Sequence, residues 1–199
     1  SDWSSDVCSS DLSAEGVVVM DLTTGEILYE KNKDEQLYPA SMTKMMTAIL
    51  VIENLSMGRT LTADDEVASI GGSRLNMKSG EQVSAKDALY AMMIGSCNDL
   101  AVLLAKAVSG TVEDFAQLMN DKAAELGCKN THFVNPNGLH DDDHYTSAYD
   151  MALIARYCMQ NPIFRDIVKN YEYTYTRASG ALNPGAVESM GTTNWLLND

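Results

Sequence analysis

From Gly16 the chain reads GVVVMDLTTGEILYE, an apolar, β-branched run, a polar stretch at Thr23-Thr24-Gly25 and a second run through Ile27 and Tyr29. Two short apolar runs around a turn signal predict a β-hairpin. After Pro39 the pattern changes. Ser41 to Asn54 carries Met45, Met46, Ala48, Ile49, Leu50, Val51 and Ile52 with almost no polar face, which predicts a helix buried on every side. Ser84, with Asp87 three residues on, resembles a capping box and opens a helix through Ala88, Leu89, Met92 and Met93 that Gly95 breaks. Leu100 to Val108 continues as a second buried helix, closed by Gly110. Thr111 and Asp114 cap a third, in which Phe115, Leu118, Met119 and Leu126 recur at helical spacing before Gly127 in a C-cap position. Ser147 and Asp150 cap a fourth, with Met151, Ile154, Ala155 and Cys158, and Pro162 is expected to stop it.

A hairpin followed by a run of helices predicts an α+β domain, a helical layer built onto an antiparallel sheet. Two hairpin strands alone are marginal in water, so the sheet is expected to be completed by strands beyond Asp199. Ser1 to Ser13 is rich in serine and aspartate and has neither period. It reads as a disordered tail, its native origin left open, ahead of a single domain over residues 14–199.

Composition narrows the function classes. A hydrophobic fraction of 45% and a charged fraction of 21% are ordinary for a folded chain. The formal charge of −14, with no basic cluster, would repel nucleic acid and anionic membrane surfaces. No stretch approaches the ~20 apolar residues needed to cross a bilayer. The N-terminus lacks the basic start and apolar run of a signal peptide, which is expected to have been removed or never included. Cys8, Cys97, Cys128 and Cys158 form no C-x-x-C pair and no metal-ligand spacing with His132, His140 and His144, so cysteine leaves the compartment undecided.

Candidate chemistry begins with Ser41 and Lys44, three apart at the start of the apolar helix and therefore on one face. A lysine in a first turn is electrostatically misplaced, whereas a nucleophile there gains help for a developing oxyanion. Burial by the apolar helix would favour the neutral amine and suit Lys44 to act as general base for the Ser41 hydroxyl. Taken alone, the pair also fits a serine cap and a lysine that snorkels to solvent. Ser96-Cys97-Asn98 falls in the break between two helices, where a hydroxyl and an amide two apart could relay a proton and hold a substrate amide; a Gly-Ser turn with an asparagine N-cap is the plainer reading. His140 to His144, with Asp141, Asp142 and Asp143 between them, offers metal-ligand types, but their adjacency after Asn137-Gly138 reads as a solvated turn, and no metal is expected. Cys97 reads as a small buried apolar side chain.

Together S-x-x-K and Ser-x-Asn match the signature set of penicillin-binding proteins and serine β-lactamases. From Gly16 to Asp199 the blocks VVVMDLTTGEILYEKN, YPASMTKMMTAIL, IGSCNDLAVLLAKAVSG, FVNPNGL and HYTSAYDMALIAR resemble, in order, the serine D-alanyl-D-alanine carboxypeptidases. The resemblance implies a transpeptidase-like fold, an acyl-enzyme route without metal or organic cofactor, and inhibition by β-lactams. It implies as substrate a peptidoglycan stem peptide ending in D-Ala-D-Ala. By carry-over Ser41 is the nucleophile, Lys44 its base, Ser96 a proton relay toward the leaving D-alanine and Asn98 a holder of the substrate's peptide amide, with the Ser41 N–H as half of an oxyanion hole. An exported, cell-envelope location is implied, with any membrane attachment in parts outside this chain. A β-lactamase of the same fold and a catalytically inactive peptidoglycan-binding domain are the rival readings. The family's third motif, Lys-Thr-Gly or Lys-Ser-Gly, should follow the other two. Lys78-Ser79-Gly80 spells it too early and reads as a turn, so the chain is expected to stop before that motif and, on its own, to be inactive.

Overall fold

The computed structural model of the chain describes residues 13–170, 172–176 and 187–191. The expected tail, apart from Ser13, and the segment NWLLND lie outside the described residues. The predicted hairpin forms as β1 (Val17–Met20) and β2 (Ile27–Lys31), antiparallel with Val18 opposite Glu30 and Val19 opposite Tyr29. Its turn is organised by Asp21, whose carboxylate accepts from the backbone N–H of Thr23 (2.9 Å) and Thr24 (2.6 Å).

The apolar run becomes α1 (Thr43–Asn54), in which Met46, Ala48, Ile49, Leu50 and Val51 are buried. The helix begins two residues later than its pattern suggests, because Ala40–Met42 form a short 3-10 turn that holds Ser41 ahead of the regular helix. Next come β3 (Thr60–Thr62), α2 (Asp65–Ser69) and β4 (Gln82–Ser84). The Lys78-Ser79-Gly80 triplet is indeed a turn: Glu81 N–H donates to the Lys78 carbonyl, and Gly80 has φ +84°.

Helices α3 (Ala85–Gly95) and α4 (Asn98–Ser109) follow. Gly95 does not break α3 but is its last helical residue; the break is made by Ser96, which takes the left-handed conformation at φ 52°. Helices α5 (Val112–Glu125) and α6 (Ala148–Cys158) start where their caps predict. Pro162 does more than stop α6. It occupies the first turn of α7 (Pro162–Val168), where its missing N–H costs nothing and Asn161 caps the helix. Strands β5 (Glu172–Thr176) and β6 (Val187–Gly191) pair antiparallel.

The described strands form three separate antiparallel pairs rather than one sheet. Each pair rests on helices: β1 on α6, the β3–β4 pair on α3 and α4, and β5–β6 on α3. The core therefore lies in the helices, with α1 in contact with α3, α4, α5, α6 and α7. That central place is what an all-apolar helix requires, since each of its large side chains gains about 1.5–3 kcal/mol by leaving water.

Candidate functional site

Where the 3-10 turn meets α1 there is a cleft of about 400 Å³, lined by Ala40, Ser41, Gly72, Ser73, Ser96, Asn98, Asn137, Gly138 and Leu139. Four stretches far apart in sequence build it. The first carries Ser41, exposed at the cleft floor and preceded by Ala40 in a left-handed conformation at φ 47°. One turn on, Lys44 is buried at 3% exposure.

The second stretch is the α3–α4 break. The left-handed Ser96 aims its hydroxyl at the nucleophile candidate, and Ser96 Oγ donates to Ser41 Oγ at 3.1 Å. Asn98, at the start of α4, accepts from Lys44 Nζ through Oδ1 at 2.8 Å and donates through Nδ2 to the Gly71 carbonyl at 3.0 Å. The third stretch, from Gly71 to Met77, is fastened to the second. Asn98 N–H donates to the Ser73 carbonyl at 2.8 Å, and the buried Asp99 carboxylate accepts from the N–H groups of Leu75 (3.0 Å) and Met77 (3.1 Å).

The fourth stretch is the loop before α6. The Asn137 carbonyl accepts from Lys44 Nζ at 2.6 Å, and the Pro136 carbonyl accepts from Thr47 Oγ at 2.6 Å. Gly138, at φ +87°, lies so close to the 3-10 turn that a Cβ there would sit 1.9 Å from the Ala40 carbonyl oxygen. Only glycine permits that approach.

Of the four residues singled out by the sequence, Ser41, Ser96 and Asn98 line one cleft, and the buried Lys44 is bonded to its wall through Asn98 and Asn137. One expected contact is different: the hydrogen bonds of Lys44 go to Asn98 and Asn137, and the hydroxyl bonded to Ser41 is that of Ser96. Burial lowers the Lys44 pKa to about 8. An amine near that value is about one-tenth neutral at pH 7. In the neutral form its two N–H bonds satisfy Asn98 and Asn137, leaving the lone pair as a base. Burial pushes the Cys97 thiol up to about 12, in keeping with an inert apolar side chain.

The sequence pattern missed the partners that hold these groups. Asn137-Gly138 read only as a turn, Asp99 drew no attention, and His144 was grouped with a solvated run. His144 is in fact buried at 1% exposure and bonded to Thr43, whereas His140 is exposed and pairs with Asp142. Among the described residues no cluster of three histidine, cysteine or acidic side chains could hold a metal, and no helix is long and apolar enough to cross a membrane.

Comparison with known proteins places the chain in a family. Residues 4–196 match the family model described as D-alanyl-D-alanine carboxypeptidase. The D-alanyl-D-alanine carboxypeptidase DacF of Bacillus subtilis is 42% identical over 190 residues, covering 93% of this chain and 46% of that protein. Penicillin binding protein 5 of Haemophilus influenzae has a similar structure, with TM-score 0.83 and 31% identity over 94% of this chain and 54% of that one. A point mutant of the Streptomyces K15 DD-transpeptidase aligns at TM-score 0.86 and 29% identity, over 94% of this chain and 76% of that one. The chain spans less than half the length of the Bacillus relative. The chain belongs to the D-alanyl-D-alanine carboxypeptidase family.

Proposed function

We propose that the protein is a serine-type D-Ala-D-Ala carboxypeptidase that removes the terminal D-alanine from peptidoglycan stem peptides and is acylated by β-lactams. The observation that carries this reading is a cleft lined by Ser41, Ser96 and Asn98, with Ser96 bonded to Ser41 and the buried Lys44 bonded to Asn98, in a chain of this family.

In the proposed reaction the Ser41 hydroxyl attacks the carbonyl of the penultimate D-alanine while the Lys44 amine takes up the hydroxyl proton. The Ser41 N–H, at the head of the helix, faces the oxyanion of the tetrahedral intermediate. Collapse breaks the peptide bond, and the leaving D-alanine nitrogen receives a proton relayed through Ser96. Water then attacks the acyl-Ser41 ester, releasing the shortened peptide and restoring the hydroxyl. Asn98 keeps one N–H after donating to Gly71, and that N–H is available to the substrate's peptide carbonyl. The substrate places the enzyme outside the cytoplasmic membrane, in the cell envelope.

Treating the full-length gene product with a penicillin and mapping its peptides tests the reading. One adduct on Ser41, abolished in Ser41→Ala, is expected. An adduct at another residue, or undiminished labelling of Ser41→Ala, refutes it.

A further inference from the structure

The proposed reaction gives no part to the buried His144, yet it touches the start of α1, next to the turn that carries the proposed nucleophile. Its Nδ1 accepts from the Val134 backbone N–H at 3.0 Å. With Nδ1 accepting, the hydrogen of a neutral imidazole must lie on Nε2. The 2.8 Å contact between Nε2 and Thr43 Oγ is therefore a bond donated by the histidine. Thr43, fully buried, is the first residue of α1 and lies between Ser41 and Lys44. The Phe133 ring meets the imidazole edge-on with centroids 5.6 Å apart, fixing the ring plane.

Three bonds tie the start of α1 to the loop before α6: Thr43 to His144, Lys44 to the Asn137 carbonyl and Thr47 to the Pro136 carbonyl. The last two end on loop backbone. The first alone depends on a loop side chain, and it falls on the residue that lies in sequence between Ser41 and Lys44. Burial, modified by the nearby Asp141 and His132, lowers the imidazole pKa to about 4, so the donor stays on Nε2 throughout the neutral range.

We infer that His144 is a positioning residue for acylation: by donating to Thr43 it fixes the first turn of α1, and with it the Ser41 hydroxyl and Lys44 amine, against Ser96 and Asn98. The inference rests on the function proposed above, and its test separates the two.

Glutamine places an amide N–H where imidazole has Nε2, and asparagine places a carbonyl where it has Nδ1. His144→Gln thus keeps the bond to Thr43, whereas His144→Asn keeps the bond from Val134 and loses the one to Thr43. In the full-length protein, His144→Asn and Thr43→Val should each slow penicillin acylation of Ser41 about tenfold, with the double variant no slower than the slower single. His144→Gln should recover most of the loss even where its melting temperature is no higher than that of His144→Asn. Equal acylation rates in the Gln and Asn variants, or single effects that multiply in the double variant, would overturn the positioning role. So would ¹⁵N NMR that puts the His144 proton on Nδ1. A wild-type protein that is not acylated at Ser41, with the Nε2 proton in place, would instead bring down the proposed function and the role that serves it.

Discussion

Gly138 offers a severe test of the site, because the contact it makes leaves no room for relief. Replacing it with alanine puts a Cβ 1.9 Å from the Ala40 carbonyl oxygen, 2.4 Å from the Ala40 carbonyl carbon and 3.1 Å from the Ser41 nitrogen. All three are backbone atoms, so no side-chain rotation can absorb the clash. Either the loop or the 3-10 turn must move by on the order of 1 Å, a displacement that can cost about a hundredfold in rate when it falls on reacting groups. Two further losses accompany it. The φ of +87° is unfavourable for alanine by roughly 1–2 kcal/mol, and a retreating loop withdraws the Asn137 carbonyl that holds Lys44 at 2.6 Å. Gly127 provides the control: it has φ +84° but nothing within 4 Å of its Cβ position, so Gly127→Ala meets the strain without the clash. Both variants should melt lower, by about 2–4 °C per kcal/mol lost. Only Gly138→Ala should lose acylation, by about a hundredfold. Stopped-flow acylation of the full-length protein decides the matter, and a Gly138→Ala variant that acylates like Gly127→Ala would show that the loop does not set the nucleophile.

Two other residues give direct tests. Burial lowers the Lys44 pKa to about 8, so the fraction of free base, and with it the acylation rate, should rise with pH and level off above about 8 rather than near 10.5; a rate still climbing at pH 10, or Lys44→Ala acylating within tenfold of wild type, contradicts the base role. Asp99→Ala removes an acceptor from three backbone N–H groups, those of Leu75, Met77 and Leu100, at a cost of about 1–3 kcal/mol for a lost bond, so the Leu75 and Met77 amides should exchange faster in hydrogen-exchange measurements, with Asp99→Asn intermediate and unchanged exchange counting against the anchor.

What the sequence disclosed follows from how local each signal is. The all-apolar run at Ile49 to Ile52 needed only its own composition to place α1 at the centre. The caps at Ser84, Thr111 and Ser147 each accept from the N–H three residues on, as their spacing suggested. Strands β3 and β4 escaped notice because each has three residues with only one buried side chain, too short for an alternating pattern. Helix α2 has five residues and α7 seven, too few for a helical period. Within the site, Ser41–Lys44 and Ser96–Asn98 are readable because each pair lies within one turn. The Asn137 carbonyl is 93 residues from Lys44, and His144 is 101 from Thr43, so no local pattern can announce them. Backbone acceptors leave no trace in residue type at all.

The charge pattern around Lys44 suits the base role proposed for it, even in so acidic a protein. The chain carries 28 acidic and 14 basic residues, and three of its half-buried lysines find carboxylates: Lys33 meets Glu30, Lys106 meets Asp64 and Glu66, and Lys122 meets Glu53 and Glu125. Burial alone would lower the Lys122 pKa, but its carboxylates overcome that and raise it, and those beside Lys106 do the same. Such pairing stabilises the ammonium and removes the base. Lys44 is bonded instead to two neutral oxygens, the Asn98 amide and the Asn137 carbonyl, which compensate its burial without adding negative charge. The one buried carboxylate close by in sequence, Asp99, is turned to the Leu75 and Met77 amides. None of the nine residues lining the cleft is acidic. Keeping carboxylates out of the cleft does two things at once: it leaves Lys44 free to lose its proton near neutral pH, and it removes the repulsion that the terminal carboxylate of the proposed D-Ala-D-Ala substrate would otherwise meet on approach.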